Sequence, residues 1–415
     1  MNFVERAGFS RNATPLRQWQ GRVALTVFVT YATYYFCRQN IAAALPAIGA
    51  EFDLTRTQLG QITMALFLGY GLGQVFFGLM SDRFGARYLL LIGMLVSAGL
   101  NVAFALAHPV IPMVALRRLN GVFQASGMPA LAKTIANWFT PGQRGRVQAI
   151  RGMDYPVGAM LITLLSGYLV QYWGWRWAFY VPAGILTLSA VHTFARLRGA
   201  PEDVGLPPVE EHGNEDAGNG EPSRDEFAGW RYVLRMTLGS WRIWALAIGF
   251  FGITMTRYGF GIWAITYLIE NGSTVTHAAA ISSVMWLGGA AGILTAGWAG
   301  TLWFQGRHAP FVVMQLVALA VLTALFPLIP VNIPWLLVIY LMAVGFCTYG
   351  PDMMMCQTMA MDLATRKATA TAGGFIDATG SLGAALTVAL SGHLVDTVGW
   401  SSAMYLWAAG AGLAA

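Results

Sequence analysis

The chain has 415 residues, of which 56% are hydrophobic and 11% charged, with a formal net charge of +6. A soluble domain carries about 25% charged residues, so this composition, with a mean hydropathy of +0.55, excludes a water-soluble globule. The basic residues sit mainly in loops between apolar runs, so the positive balance reflects membrane topology and is no nucleic-acid surface.

In chain order, the stretch up to Arg22 is polar and basic and lacks the apolar run of a cleavable signal peptide. Apolar segments predict helices near 23–48, 57–80, 86–107, 109–138, 147–171 and 176–197. A Gly-, Pro- and acid-rich stretch then reads as a solvated linker over 198–238. A second set of helices is expected near 240–270, 276–301, 309–329, 334–361, 369–396 and 401–415. The last is too short to cross about 30 Å at 1.5 Å per residue, and is expected to be incomplete. The fold class is an all-α membrane protein of twelve helices, with six-helix bundles over 1–197 and 239–415. Arginines and lysines cluster in alternate loops, which places both ends in the cytoplasm of a multi-pass inner-membrane protein.

Cys37, Cys347 and Cys356 lie in apolar segments without CxxC spacing, and the histidines are scattered near helix ends. No metal, cofactor or enzymatic activity is expected. The glycine runs lack the strand–loop–helix setting of a nucleotide site and read as contacts between helices.

The two halves repeat each other. "SGYLVQYWGW" at 166–175 returns as "SGHLVDTVGW" at 391–400, Gly78 corresponds to Gly297, and Arg38 corresponds to Arg257. Two six-helix halves related by an axis along the membrane normal are a transporter architecture. Each of the paired arginines lies mid-segment, about 20 Å from its cytoplasmic start. An arginine there costs roughly 2.5–3.5 kcal/mol on insertion scales.

One reading pairs each arginine with an intramembrane acid, Asp154, Asp352 or Asp377, as a helix lock. The other is a site for a doubly charged oxyanion. A unit-charge pair at 4 Å gains about 4 kcal/mol at a dielectric of 20, enough to offset the insertion cost. A guanidinium fork also fits phosphate in two-point fashion. With the site empty both cations would lack partners, so closure would need a bound anion and the protein would exchange one anion for another. Asp154 and Asp377 read as a salt bridge, as a proton-binding pair, or as partners for a substrate's cationic end. Arg117 or Arg118 is expected to snorkel outward, and Lys133 and Arg151 to lie near the cytoplasmic mouth.

"GLMSDRFGAR" at 78–87 resembles the loop motif of the major facilitator superfamily. The resemblance implies gating roles for Gly78, Asp82, Arg83 and Arg87, while Thr301 replaces the acid in the second copy. "YYFCRQNIAAALP", "GVFQASGMPALAKTIANWFTPGQRGR", "RYGFGIWAITYL" and "PEDVGLPPVEE" together are similar to the organophosphate:phosphate antiporter family, over nearly the whole chain. That similarity implies rocker-switch exchange of a phosphorylated or phosphonate metabolite for inorganic phosphate, by a monomer. It implies that Arg38 and Arg257 hold the phosphate group and that Tyr31, Tyr35 and Tyr70 line the site. The chain departs from glycerol-phosphate carriers at Gln39 and Gln74, where they have lysines, and at Tyr155, where they have a histidine, and Gln74 and Tyr155 are expected to line the substrate site with the three tyrosines. A proton-coupled organic-anion symporter and a transporter-like phosphometabolite sensor remain as alternatives.

Overall fold

The computed structural model describes residues 15–108, 110–140, 143, 147–148, 150–209, 237–302, 309–359 and 369–415. Its longer helices are α1 (Pro15–Tyr34), α2 (Ile41–Phe52), α3 (Arg56–Phe84), α4 (Ala86–Leu106), α5 (Val110–Gln124), α6 (Gly127–Trp138), α7 (Asp154–Trp173) and α8 (Trp177–Arg196). After the linker come α9 (Trp241–Glu270), α10 (Val275–Leu302), α11 (Ala309–Leu325), α12 (Pro334–Met353), α13 (Thr369–Thr397) and α14 (Trp400–Ala414). Among the described residues, eight helical segments are long and apolar enough to cross a membrane unaided. The first and fourth crossings are each made of two shorter helices, α1–α2 and α5–α6. With those joined, the fold is the twelve-helix arrangement that the sequence predicts.

The breaks have local causes. The predicted helix over 23–48 is interrupted by a 3₁₀ turn at Tyr35–Cys37 and a turn over 38–40. Its freed carbonyls find donors on neighbouring helices, as backbone at membrane depth must. Arg117 Nη2 donates to the Arg38 carbonyl at 3.2 Å, and Asn120 Nδ2 to the Cys37 carbonyl at 3.0 Å. The predicted helix over 109–138 breaks at Ala125–Ser126, just ahead of Pro129, which has no N–H for the preceding turn. Pro156 stands likewise near the start of α7, and Pro351 precedes a π turn at Met354–Thr358. All four irregularities lie beside the cavity described below.

Within the first half, α3 packs on α5 and α4 on α8; within the second, α9 packs on α13 and α10 on α12. The halves meet where α3 crosses α13 and α7 crosses α10. Glycines make the first crossing close. A Cβ on Gly392 would lie 2.2 Å from the Arg56 carbonyl oxygen, and one on Gly60 would lie 2.8 Å from that of Val388.

At the end of the bundle where α2 gives way to α3, polar groups tie the halves. Arg56 Nη2 meets Glu270 Oε1 at 2.7 Å, and Trp400 Nε1 donates to Glu270 Oε2 at 2.8 Å. Asp396 accepts from the backbone N–H of Thr57 at 2.8 Å and of Arg56 at 3.2 Å, capping the start of α3 from across the interface. The Val275 N–H donates to Gln171 Oε1 at 3.1 Å at the α7–α10 contact.

Candidate functional site

A cavity of about 70 Å³ lies between the halves, lined from one side by residues of α1, α3 and α7 and from the other by residues of α9, α12 and α13. Arg38 and Arg257 both face it, as do Tyr31, Tyr35, Tyr70, Tyr155, Asp154, Asp352 and Asp377. The fold therefore gathers residues spread over most of the sequence. Gln74 is not in the lining itself, but its side-chain amide donates to Asp377 Oδ2 at the wall.

Arg38 is 4% exposed and has no carboxylate partner among the described residues. Its Nε donates to Gln124 Oε1 at 3.3 Å, and Nη2 has no hydrogen-bond partner. Its guanidinium lies 4.4 Å from the Tyr70 ring centroid and 4.8 Å from that of Tyr35, close enough for both ring faces to hold the cation. Behind it runs a polar chain: Gln124 Nε2 donates to Ser97 Oγ at 2.8 Å, and Ser97 Oγ to Asn120 Oδ1 at 2.6 Å. The same asparagine holds the broken main chain at Cys37. One network thus fixes both the backbone and the side chain of Arg38.

Arg257 differs from its repeat partner. Its Nη1 lies 2.7 Å from both oxygens of Asp352, and its Nη2 donates to the Tyr258 hydroxyl at 2.7 Å. The Tyr155 hydroxyl donates to Asp352 Oδ2 at 3.1 Å and so supports the ion pair. The expectation that both cations stand unpaired without substrate describes Arg38 alone. The helix-lock reading describes Arg257, whose guanidinium still borders the cavity.

Other residues fall less simply. Arg117 is buried and serves the Arg38 carbonyl, whereas Arg118 is exposed on the flank of α5. Arg151, expected near the mouth, is 4% exposed and lines the cavity, 5.4 Å from the Tyr31 ring. Gln39 reaches across to the Gly261 carbonyl and joins the two halves directly. Arg87 Nε donates to the Phe194 carbonyl at 2.6 Å and stacks on that ring, within the first half. A Cβ on Gly78 would meet no described atom within 4 Å. The side chains of Asp82 and Arg83 lie outside the described residues.

The sequence does not single out Gln124, Phe67 or Tyr258 and marks Cys356 only as a cysteine in an apolar segment, although the last three line the cavity. Tyr258 carries a signal in retrospect, since it follows Arg257 directly. The other two cysteines, Cys37 and Cys347, are buried.

A broken-helix bundle with a polar chamber between two repeated halves defines a membrane transporter rather than an enzyme. The family model for the Major Facilitator Superfamily matches residues 27–351 and 246–415. A probable hexose phosphate transport protein of Chlamydia pneumoniae is 30% identical over 401 residues, covering 92% of this chain and 87% of that one. A glycerol-3-phosphate transporter of Bacillus subtilis (strain 168) is 29% identical over 406 residues, covering 96% and 91%. Among solved structures, a bacterial homolog of the human lysosomal transporter Spinster, inward-facing and unoccupied, superposes with a TM-score of 0.68. It covers 97% of this chain and 95% of its own at 17% identity, a likeness of fold. The chain belongs to the major facilitator superfamily, in its organophosphate:phosphate antiporter family.

Proposed function

We propose that this protein exchanges a phosphorylated or phosphonate metabolite for inorganic phosphate across a bacterial inner membrane. The halves 1–197 and 239–415 rock about the cavity, with both ends and the 198–238 linker cytoplasmic, and the α2–α3 end periplasmic. Arg38 is the primary anchor for the oxyanion, and Arg257 completes the clamp from the other half. Tyr31, Tyr35, Tyr70 and Tyr155 wall the site, and Gln74 orients Asp377.

One observation carries the reading. Arg38 is a permanent cation, buried, steadied by two tyrosine rings, and left with an unsatisfied donor beside the cavity. A buried charge without a counter-ion is costly, and an oxyanion entering between the halves would remove that cost. The polar ties at the α2–α3 end support a conformation sealed toward the periplasm.

The test is counterflow in proteoliposomes. Vesicles loaded with phosphate should take up labelled phosphate far faster than empty ones. Equal uptake removes exchange. Uptake of an organic anion that acidifies the lumen without phosphate release would favour proton symport through Asp154 or Asp377. No uptake of any solute would favour a sensor.

A further inference from the structure

Three arginines and three aspartates line the cavity: Arg38, Arg151 and Arg257 against Asp154, Asp352 and Asp377. The one ion pair these six form among the described residues is that of Arg257 with Asp352. Among the described residues, none joins Arg38 or Arg151 to Asp154 or Asp377. Arg151 turns to neutral groups, its Nε to Gln148 Oε1 at 3.0 Å and its Nη atoms to the Met128 sulfur at 3.4 and 3.2 Å. Asp377 receives the side-chain amide of Gln74. Asp154 is 1% exposed, and neither of its carboxylate oxygens has a side-chain hydrogen-bond partner among the described residues.

The unmet demands in the lining are therefore opposite in kind. Arg38 Nη2 is a donor without an acceptor, and Asp154 offers two acceptors without a side-chain donor. A purely anionic solute would satisfy Arg38 and set its charge near two carboxylates that, among the described residues, form no ion pair with an arginine. A solute with an oxyanion at one end and an ammonium at the other would answer both, because an ammonium brings three donors and no acceptor. Spacing along α3 agrees. Arg38 lies over the Tyr70 ring, and Gln74, which holds Asp377, follows one turn later, about 6 Å along the axis. Anion and cation sites one helical turn apart suit a short carbon spacer.

We propose that the substrate is a zwitterion: a phosphate or phosphonate carrying a primary amine two or three carbons away. Arg38 engages the oxyanion, and Asp377 and Asp154 engage the ammonium. This narrows the substrate class of the site proposed above and rests on that site being the anion chamber.

The experiment compares matched probes that differ in the amine. Binding of 2-aminoethylphosphonate and ethylphosphonate, and of O-phosphoethanolamine and ethyl phosphate, is measured by calorimetry on the purified wild-type protein in detergent. Amine-bearing probes are expected to bind about tenfold tighter or more, as a charge-assisted contact would give. Asp377→Asn and Asp154→Asn should each bring that ratio to within about twofold of unity, and ligand-free melting curves show whether each variant is folded. Equal wild-type affinities overturn the proposal with no variant needed. A wild-type preference that survives both substitutions overturns the assignment to these carboxylates. Phosphate exchange is scored separately. Amine preference without exchange upholds the zwitterion and sinks antiport, whereas exchange without amine preference upholds antiport and sinks the zwitterion.

Discussion

Arg38 is held twice, by its side chain through Gln124 and by its own carbonyl through Arg117. These attachments predict different losses. Arg38→Lys keeps the charge but removes the planar fork, and phosphate self-exchange should fall by roughly 10²-fold in proteoliposomes. Asn120→Ala leaves the buried Cys37 carbonyl only the longer 3.4 Å bond from Asn101 Nδ2, and should cost about 1 kcal/mol of stability, read as a lower melting temperature in detergent. The arginines were legible in the sequence because a permanent charge inside an apolar run is conspicuous. Gln124, Ser97 and Asn120 were not, since a neutral polar residue in a membrane helix leaves no pattern until its partner is known. The ion pair of Arg257 with Asp352 was foreseen only as one of several pairings, because three acids competed for the role.

Among the helices, what the sequence concealed was interruption. Residues 23–48 and 109–138 read as continuous apolar runs, yet the first contains a 3₁₀ turn at Tyr35–Cys37 and the second a break at 125–126. Hydropathy registers where a helix crosses and is blind to where it stops and restarts, because the donors that permit the break come from other helices. The α3–α13 crossing was equally hidden, as it depends on Gly60 and Gly392 lying against the opposite main chain. Gly392→Leu would place side-chain atoms where the Arg56 carbonyl oxygen now lies, 2.2 Å from the Cβ position. The halves should then part at this end. Spin labels at Ala50 and Asn271 should report a distance distribution several ångströms longer than in the unsubstituted protein, on the scale of the displaced side chain.

For the whole molecule, helix number and internal repeat were readable because each half repeats marked residues at matching places, Gly78 with Gly297 and Arg38 with Arg257. The latch of Arg56, Glu270, Trp400 and Asp396 was not, since its members are far apart in sequence and unremarkable alone. Arg56 is 43% exposed, and an exposed ion pair contributes at most about 1 kcal/mol. Glu270→Gln should therefore raise the population open at this end by no more than about fivefold, measured with the same pair of spin labels. A larger change would assign the latch more of the closure energy than the helix crossings carry.

Cys356 opens on the cavity while the two remaining thiols are buried in the bundle. A small alkylating reagent reaching it must enter the same chamber, of about 70 Å³, that borders Asp352 and Asp377. An occupied chamber would then shield a native thiol, and the rate of its modification would count the time the site stands filled.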